Sequence, residues 1–330
     1  MVIEAILRDL AAAPGPDLLH HQAVAQRATR VLRPPGALAR LDRIAAWLAA
    51  WQRTDVPTVS RPALVLAAGD HGVVRRGFTA YPSEVTRAMV DAIKAGAATS
   101  SVMAARLDVA FRLVDAGVGL PTADIVDDDA LTMERFEHLL TLGRDTVAGL
   151  DTDLLMVGEM GIGNTTAAAA VAASLCGGAV VDFVGPGAGA DEEALVVKRQ
   201  AVERAVRRVG SDDPMEVLRR LGGAEFAVLA GAVAEARIRS IPVVLDGYAT
   251  AAAAAPLAFR VDGALDHCLA AHLSPEPGHG PLLDRLGLAP LLDLEMRLGE
   301  GSGALVALPV IGLAAAAVVD VATFDEWGLA

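Results

Sequence analysis

Cysteine is nearly absent from this chain: Cys176 and Cys268 stand far apart in 330 residues and form no CxxC pattern, which excludes a disulfide framework and a thiolate zinc site. A reducing compartment, the cytoplasm, is the expected setting. Basic excess is missing too. The 28 Lys and Arg against 41 Asp and Glu leave a net charge of −13, with no cationic face to displace counterions from phosphates, so no nucleic-acid partner is expected. The opening MVIEAILRDLAAAPG lacks the basic start and apolar middle of a signal peptide and reads as a first helix. The longest apolar run, Ala304 to Val319, falls short of the roughly 20 residues of a membrane span and contains Pro309 and Gly312. It reads as a buried helix, and no membrane partner is expected. Aromatic residues make up only 4%, so Ala, Val and Leu must fill the core, with 32 glycines for the turns, the profile of a tightly packed α/β protein.

Residues 1–60 read as helical, with Trp47 and Trp51 one turn apart and the stop Arg33-Pro34-Pro35-Gly36 between two amphipathic stretches. From Pro62 a rhythm begins in which short apolar runs end abruptly in polar or glycine-rich loops, as buried parallel strands do. Ala63 to Ala68 leads into Gly69-Asp70-His71-Gly72, Ala110 to Val114 into Asp115-Ala116-Gly117, and Leu154 to Val157 into Gly158-Glu159-Met160-Gly161. Ile241 to Leu245 ends at Asp246-Gly247-Tyr248, and Asp266 to Ala271 at His272-Leu273-Ser274. Strands alternating with helices predict an α/β fold with a parallel sheet whose carboxyl-end loops gather at one edge and form the site. The expected organisation is a large α/β domain over 61–280 and a small helical domain built from 1–60 and 281–330.

The sharpest local motif is GEMGIGNTT, Gly158 to Thr166, between an apolar strand and an alanine-rich helix. Its spacing imitates the phosphate loop GxxxxGK[ST], with Asn164 in place of the lysine. Amides at the helix start and a Thr165 or Thr166 hydroxyl still favour an anion, but without the lysine a monophosphate is a better fit than a triphosphate. A phosphate-loop ATPase is disfavoured on the same ground. A second cluster, Gly185-Pro186-Gly187-Ala188-Gly189, precedes a charged helix carrying Lys198, which either meets a phosphate or pairs on the helix face with Glu192 or Glu193. In Arg297 to Gly303, RLGEGSG, small residues surround Glu300, a candidate general base. Glu159, at the end of a buried strand, needs a partner or a ligand. Asp246 either holds a ribose hydroxyl or caps the following helix. Asp70, His71, His267, His272 and His279 lie on separate segments in no ligand pattern such as HExxH, so no metal is expected, and His279 reads as ordering its loop or touching ligand.

These strings together resemble one family along nearly the whole chain, the nicotinate-nucleotide:dimethylbenzimidazole phosphoribosyltransferases. The resemblance runs through Arg33-Pro34-Pro35-Gly36, Gly69-Asp70-His71-Gly72-Val73-Val74, Ala80-Tyr81-Pro82 and Glu84-Val85-Thr86. It continues through GEMGIGNTT, Gly222-Gly223, Ile241 to Gly247, Glu276-Pro277-Gly278-His279 and RLGEGSGA. It implies a homodimer with a large Rossmann-like and a small helical domain, no cofactor, and two substrates, nicotinate mononucleotide and a benzimidazole-type base. Glu300 matches the family's general base and Glu159 a second carboxylate of the site. By the same resemblance Gly161, Gly163, Asn164, Thr165, Gly187, Gly189, Lys198, Asp246 and Ser274 belong to the phosphate and ribose side, and Gly69, Asp70, Tyr81 and Leu298 to the acceptor base. The sequence departs from the family pattern at Arg75, Arg76, Ser83, Ala92 and Ile93, near the Asp70 loop. The acceptor therefore stays open between dimethylbenzimidazole, another benzimidazole, a purine, an azole or a phenol, and a non-catalytic binding protein is the competing class.

Overall fold

A computed structural model describes residues 2–329. Five parallel strands, β1 (Pro62–Ala68), β2 (Ala110–Asp115), β3 (Leu154–Met160), β4 (Val243–Leu245) and β5 (Cys268–Ala270), form one sheet in the order β2-β1-β3-β4-β5. β1 is buried along its whole length, as a strand covered on both faces must be. Its side chains alternate between two helical layers. Ala63, Val65 and Ala67, with Leu155, Val157, Val243 and Leu245, pack under α6 (Met133–Ala148), α7 (Asn164–Cys176), α10 (Ala224–Ile238) and α11 (Tyr248–Arg260). Leu64, Leu154, Met156 and Val244 face α3 (Ala39–Gln52), α5 (Thr99–Arg106) and α13 (Ser302–Val319), while Leu66 and Ala68 meet α4 (Glu84–Lys94).

The alanine runs serve close packing: Ala167 to Ala173 of α7 and Ala251 to Ala255 of α11 are buried, so these backbones approach the sheet and each other closely. The helices α8 (Glu192–Val209), α9 (Pro214–Leu221) and α12 (His279–Leu286) complete the layer, with Asp191 and Asp213 accepting backbone N–H bonds at the starts of α8 and α9. The apolar run at the C-terminal end is a core helix: α13 buries Leu305, Leu308 and Ile311 against the sheet and α3, each side chain contributing about 1.5–3 kcal/mol. The N-terminal helices divide. α1 (Val2–Ala12) buries Ile6, Leu7 and Leu10 in the core under α10 and α6, whereas α2 (Leu18–Ala28) packs with α3 and the end of α13 through Val24, Ala28, Ala45, Ala49 and Val318.

Val180–Asp182 is a single 3-10 turn following Gly177 and Gly178, both with positive φ, and Phe183 and Val184 after it are buried in the core. Because the chain passes from β2 back across β1 to β3, the order reverses between β1 and β3, and a crevice opens at their carboxyl ends.

Candidate active site

The carboxyl ends of β3 and β4 open into a cavity of about 430 Å³. Of the residues singled out above, Glu159, Gly161, Gly163, Asn164, Thr165, Gly187, Lys198, Asp246, Ser274, Tyr81, Leu298 and Glu300 line it. Gly69, Asp70 and Gly189 do not. The Gly69 N–H donates to the Met160 carbonyl, tying β1 to β3 behind the loop, and Asp70 Oδ2 accepts from the Gly119 N–H. His71 turns inward and hydrogen-bonds Glu225 at 2.6 Å, with both side chains buried.

Lys198 is not a helix-face lysine paired with Glu192 or Glu193. It is buried on the inner side of α8, and its Nζ donates to Thr165 Oγ1 at 3.0 Å and to the Gly185 carbonyl at 2.7 Å, bridging the two glycine clusters. Burial lowers its pKa to about 8, against the opposing pull of Glu276. An ammonium desolvated this way, beside the first turn of α7, is a strong anchor for a phosphate. Among the described residues, two buried polar atoms around the same cavity have no hydrogen-bond partner: Thr166 Oγ1 and Glu276 Oε2. Such atoms are rare unless a ligand uses them.

The carboxylates cluster. Burial raises the pKa of Glu159 well above the carboxylate range, followed by the charges of Asp246, Glu225 and Glu300, while an Asn164 amide donating to Oε2 opposes the rise. Asp246 is pushed up to about 7, first by burial and further by Glu300, although backbone N–H donors lower it. Asp246 does not cap the helix that follows it: its carboxylate accepts from the Gly301 N–H at 3.2 Å and the Ala304 N–H at 3.0 Å, holding the turn before α13. That turn carries Glu300, whose N–H donates to the Glu159 carbonyl and whose Oε2 accepts from Ser100 Oγ at 2.8 Å. Gly299, Glu300 and Gly301 all have positive φ, at 81°, 59° and 73°. A glutamate in this region costs about 1 kcal/mol or more, a strain that surrounding contacts must hold in place.

Gly158 matters by its smallness: a Cβ there would lie 2.4 Å from the Gly301 nitrogen. Gly158→Ala is therefore expected to push the Glu300 turn off β3, destabilising the fold by about 1–3 kcal/mol and cutting turnover by about tenfold through misplacement of Glu300. Thermal unfolding and steady-state rates check both; an alanine variant with normal stability and rate would refute the close approach.

His279 orders its loop, its Nδ1 accepting from the Ser274 N–H at 2.9 Å, and burial with the neighbouring His272 holds its pKa down to about 3. Glu276, in the same four-residue string, accepts from the Gly187 N–H at 2.7 Å, so that the protein's own side chain and not a bound phosphate meets that amide. His272, weighed from the sequence only as a metal ligand, lines the cavity, and so does an apolar wall of Phe78, Val85 and Met89 that no local pattern distinguishes from core side chains. None of the five departing residues lines the cavity. Arg76 pairs with Asp124 at 2.7 Å, Arg75 Nε donates to the Gly72 carbonyl, Ser83 precedes α4, Ala92 packs against the core cluster of Leu66, Ala68 and Val90, and Ile93 is buried within it.

A doubly wound parallel sheet whose carboxyl edge joins a buried lysine, glycine loops and clustered carboxylates defines an enzyme that handles a phosphorylated substrate. The chain belongs to the phosphoribosyltransferase family, whose model matches residues 13–329. It is 46% identical over 327 residues to the nicotinate-nucleotide–dimethylbenzimidazole phosphoribosyltransferase of Rhizobium leguminosarum bv. trifolii, covering 98% of this chain and 95% of that one. Identity to the enzyme of the same name from Rhizobium meliloti is 45% over 326 residues, with 98% and 95% covered. The crystal structure of CobT from Thermus thermophilus superimposes with a TM-score of 0.90 at 40% identity, covering 94% of this chain and 99% of that one.

Proposed function

We propose that this protein transfers the 5-phosphoribosyl group of nicotinate mononucleotide to 5,6-dimethylbenzimidazole, giving nicotinate and α-ribazole 5′-phosphate for the lower ligand of a cobalamin. The observation that carries this reading is that Glu300, Glu159 and Lys198 line one cavity of about 430 Å³, a size suited to small ligands. Lys198, Thr165 and the start of α7 take the donor's phosphate. Nicotinate is a leaving group already activated by its positive ring nitrogen, so no pyrophosphate has to be neutralised. Glu300 removes the acceptor's N–H proton while the other ring nitrogen attacks C1′ from the face opposite nicotinate, inverting β to α.

Burial and mutual repulsion hold Glu159 and Asp246 toward their neutral forms. The pyridinium of the donor supplies the positive charge that favours their ionised forms, and an ionised Glu159 then stabilises charge developing on the ribose. The departing residues all lie outside the cavity, which supports dimethylbenzimidazole over other acceptors. The protein acts as a cytoplasmic homodimer, a reading supported by Tyr81 and Leu298, which are half exposed at the cavity and suited to cover by a second copy. α2, α3 and α13, packed on one another, serve as the small domain formed by both termini.

The test is incubation of purified protein with nicotinate mononucleotide and, separately, dimethylbenzimidazole, benzimidazole, adenine and phenols, followed by chromatography for nicotinate and new ribotides. Dimethylbenzimidazole is expected to yield an α-ribotide. Reaction of another acceptor alone would leave the transfer chemistry and overturn the acceptor; no reaction with any would favour a binding protein.

A further inference from the structure

The backbone at Glu300 is tied down by the Glu159 carbonyl and the Asp246 carboxylate, but these contacts do not aim the Glu300 side chain, which has three torsions of its own. Among the described residues only Ser100 holds the carboxylate. Its Oγ donates to Oε2 at 2.8 Å, and its backbone N–H lies 3.4 Å from the same oxygen. Ser100 is completely buried in the first turn of α5, where backbone N–H groups have no partner inside the helix and carry a partial positive charge that favours a carboxylate. Oε1 accepts no hydrogen bond among the described residues, and Glu300 lines the cavity while Ser100 does not.

We infer that Ser100, with the start of α5, is the positioning residue of the general base: it pins Oε2 and so presents Oε1 to the acceptor's N–H. The inference rests on Glu300 being that base. The acceptor's proton moves to Oε1 and its N–H electron pair stays on the ring. The other ring nitrogen forms the bond to C1′, and the bond from C1′ to nicotinate breaks with its electrons neutralising the pyridinium. Ser100 keeps its proton throughout.

Ser100→Ala is expected to lower kcat by about tenfold or more, the scale of a hydrogen bond to a charged group, with the KM for nicotinate mononucleotide unchanged. Its acid limb in the pH–rate profile is expected to move to higher pH, because a donor to the charged base has been removed. Ser100→Cys keeps the volume with a weaker donor and is expected to show the same pattern at smaller size, so the test survives if the alanine variant fails to fold. Placed in a Glu300→Gln background, the Ser100 change is expected to cost nothing further, since a residue that only aims the base has no base left to aim. Wild-type turnover in both Ser100 variants, or the same loss with and without Glu300, overturns the positioning role. Wild-type turnover in Glu300→Gln overturns the base assignment and this inference together, whereas a crippled Glu300→Gln beside normal Ser100 variants overturns the inference alone.

Discussion

Replacing Glu300 with Gln is expected to reduce turnover by about a hundredfold or more, the usual worth of a positioned general base, while leaving the KM for nicotinate mononucleotide within a few-fold of wild type. Glutamine preserves the size of the side chain, and its amide oxygen can still accept the Ser100 hydroxyl that Oε2 accepts now. The backbone anchors of the turn, from the Glu159 carbonyl and the Asp246 carboxylate, do not involve the Glu300 side chain and stay in place. What is lost is the ability to take a proton. Single-turnover measurement of nicotinate release separates this chemical step from binding, and near-normal turnover would remove Glu300 from the mechanism.

Lys198→Met is expected to have the second-largest effect, and on donor binding more than on kcat. Methionine roughly matches the length of the lysine stem but loses a charge bonded to Thr165 Oγ1 and the Gly185 carbonyl. Loss of a charged hydrogen bond costs about 1.5–3 kcal/mol, a weakening by up to about a hundredfold. The same lysine sets a pH dependence. Its pKa is lowered to about 8 by burial, so the free site carries the charge below that pH and loses it above. A bound phosphate favours the charged form, so affinity for the donor is expected to fall about tenfold per pH unit above 8. It is also expected to decline below about 6, where the phosphate itself takes up a proton. Calorimetric titration of donor binding between pH 5 and pH 10, in wild type and Lys198→Met, checks both limbs; an alkaline limb retained by the methionine variant would assign it elsewhere.

Much of the fold was legible locally. A strand buried on both faces has to be apolar along its length, so the runs at 63–68 and 154–157 announced β1 and β3, and the glycine loops after them marked the edge where the cavity opens. The pattern overextended β4 and β5, which pair over only three residues each, because apolar character reports burial and not ladder hydrogen bonds.

The sequence by itself determined the sheet class, the glycine loop Gly158 to Thr166 and the tight turn that carries Glu300, because each is a short string whose residue types serve one local purpose. Only the tertiary structure decided which face of α8 points inward, turning Lys198 from a surface charge into a buried anchor. It also decided that Asp246 braces a turn 55 residues further along the chain and that Ser100 reaches Glu300 across 200. Those pairings come from the packing of helices on the sheet, and no local pattern encodes a contact between segments that meet only when the core closes.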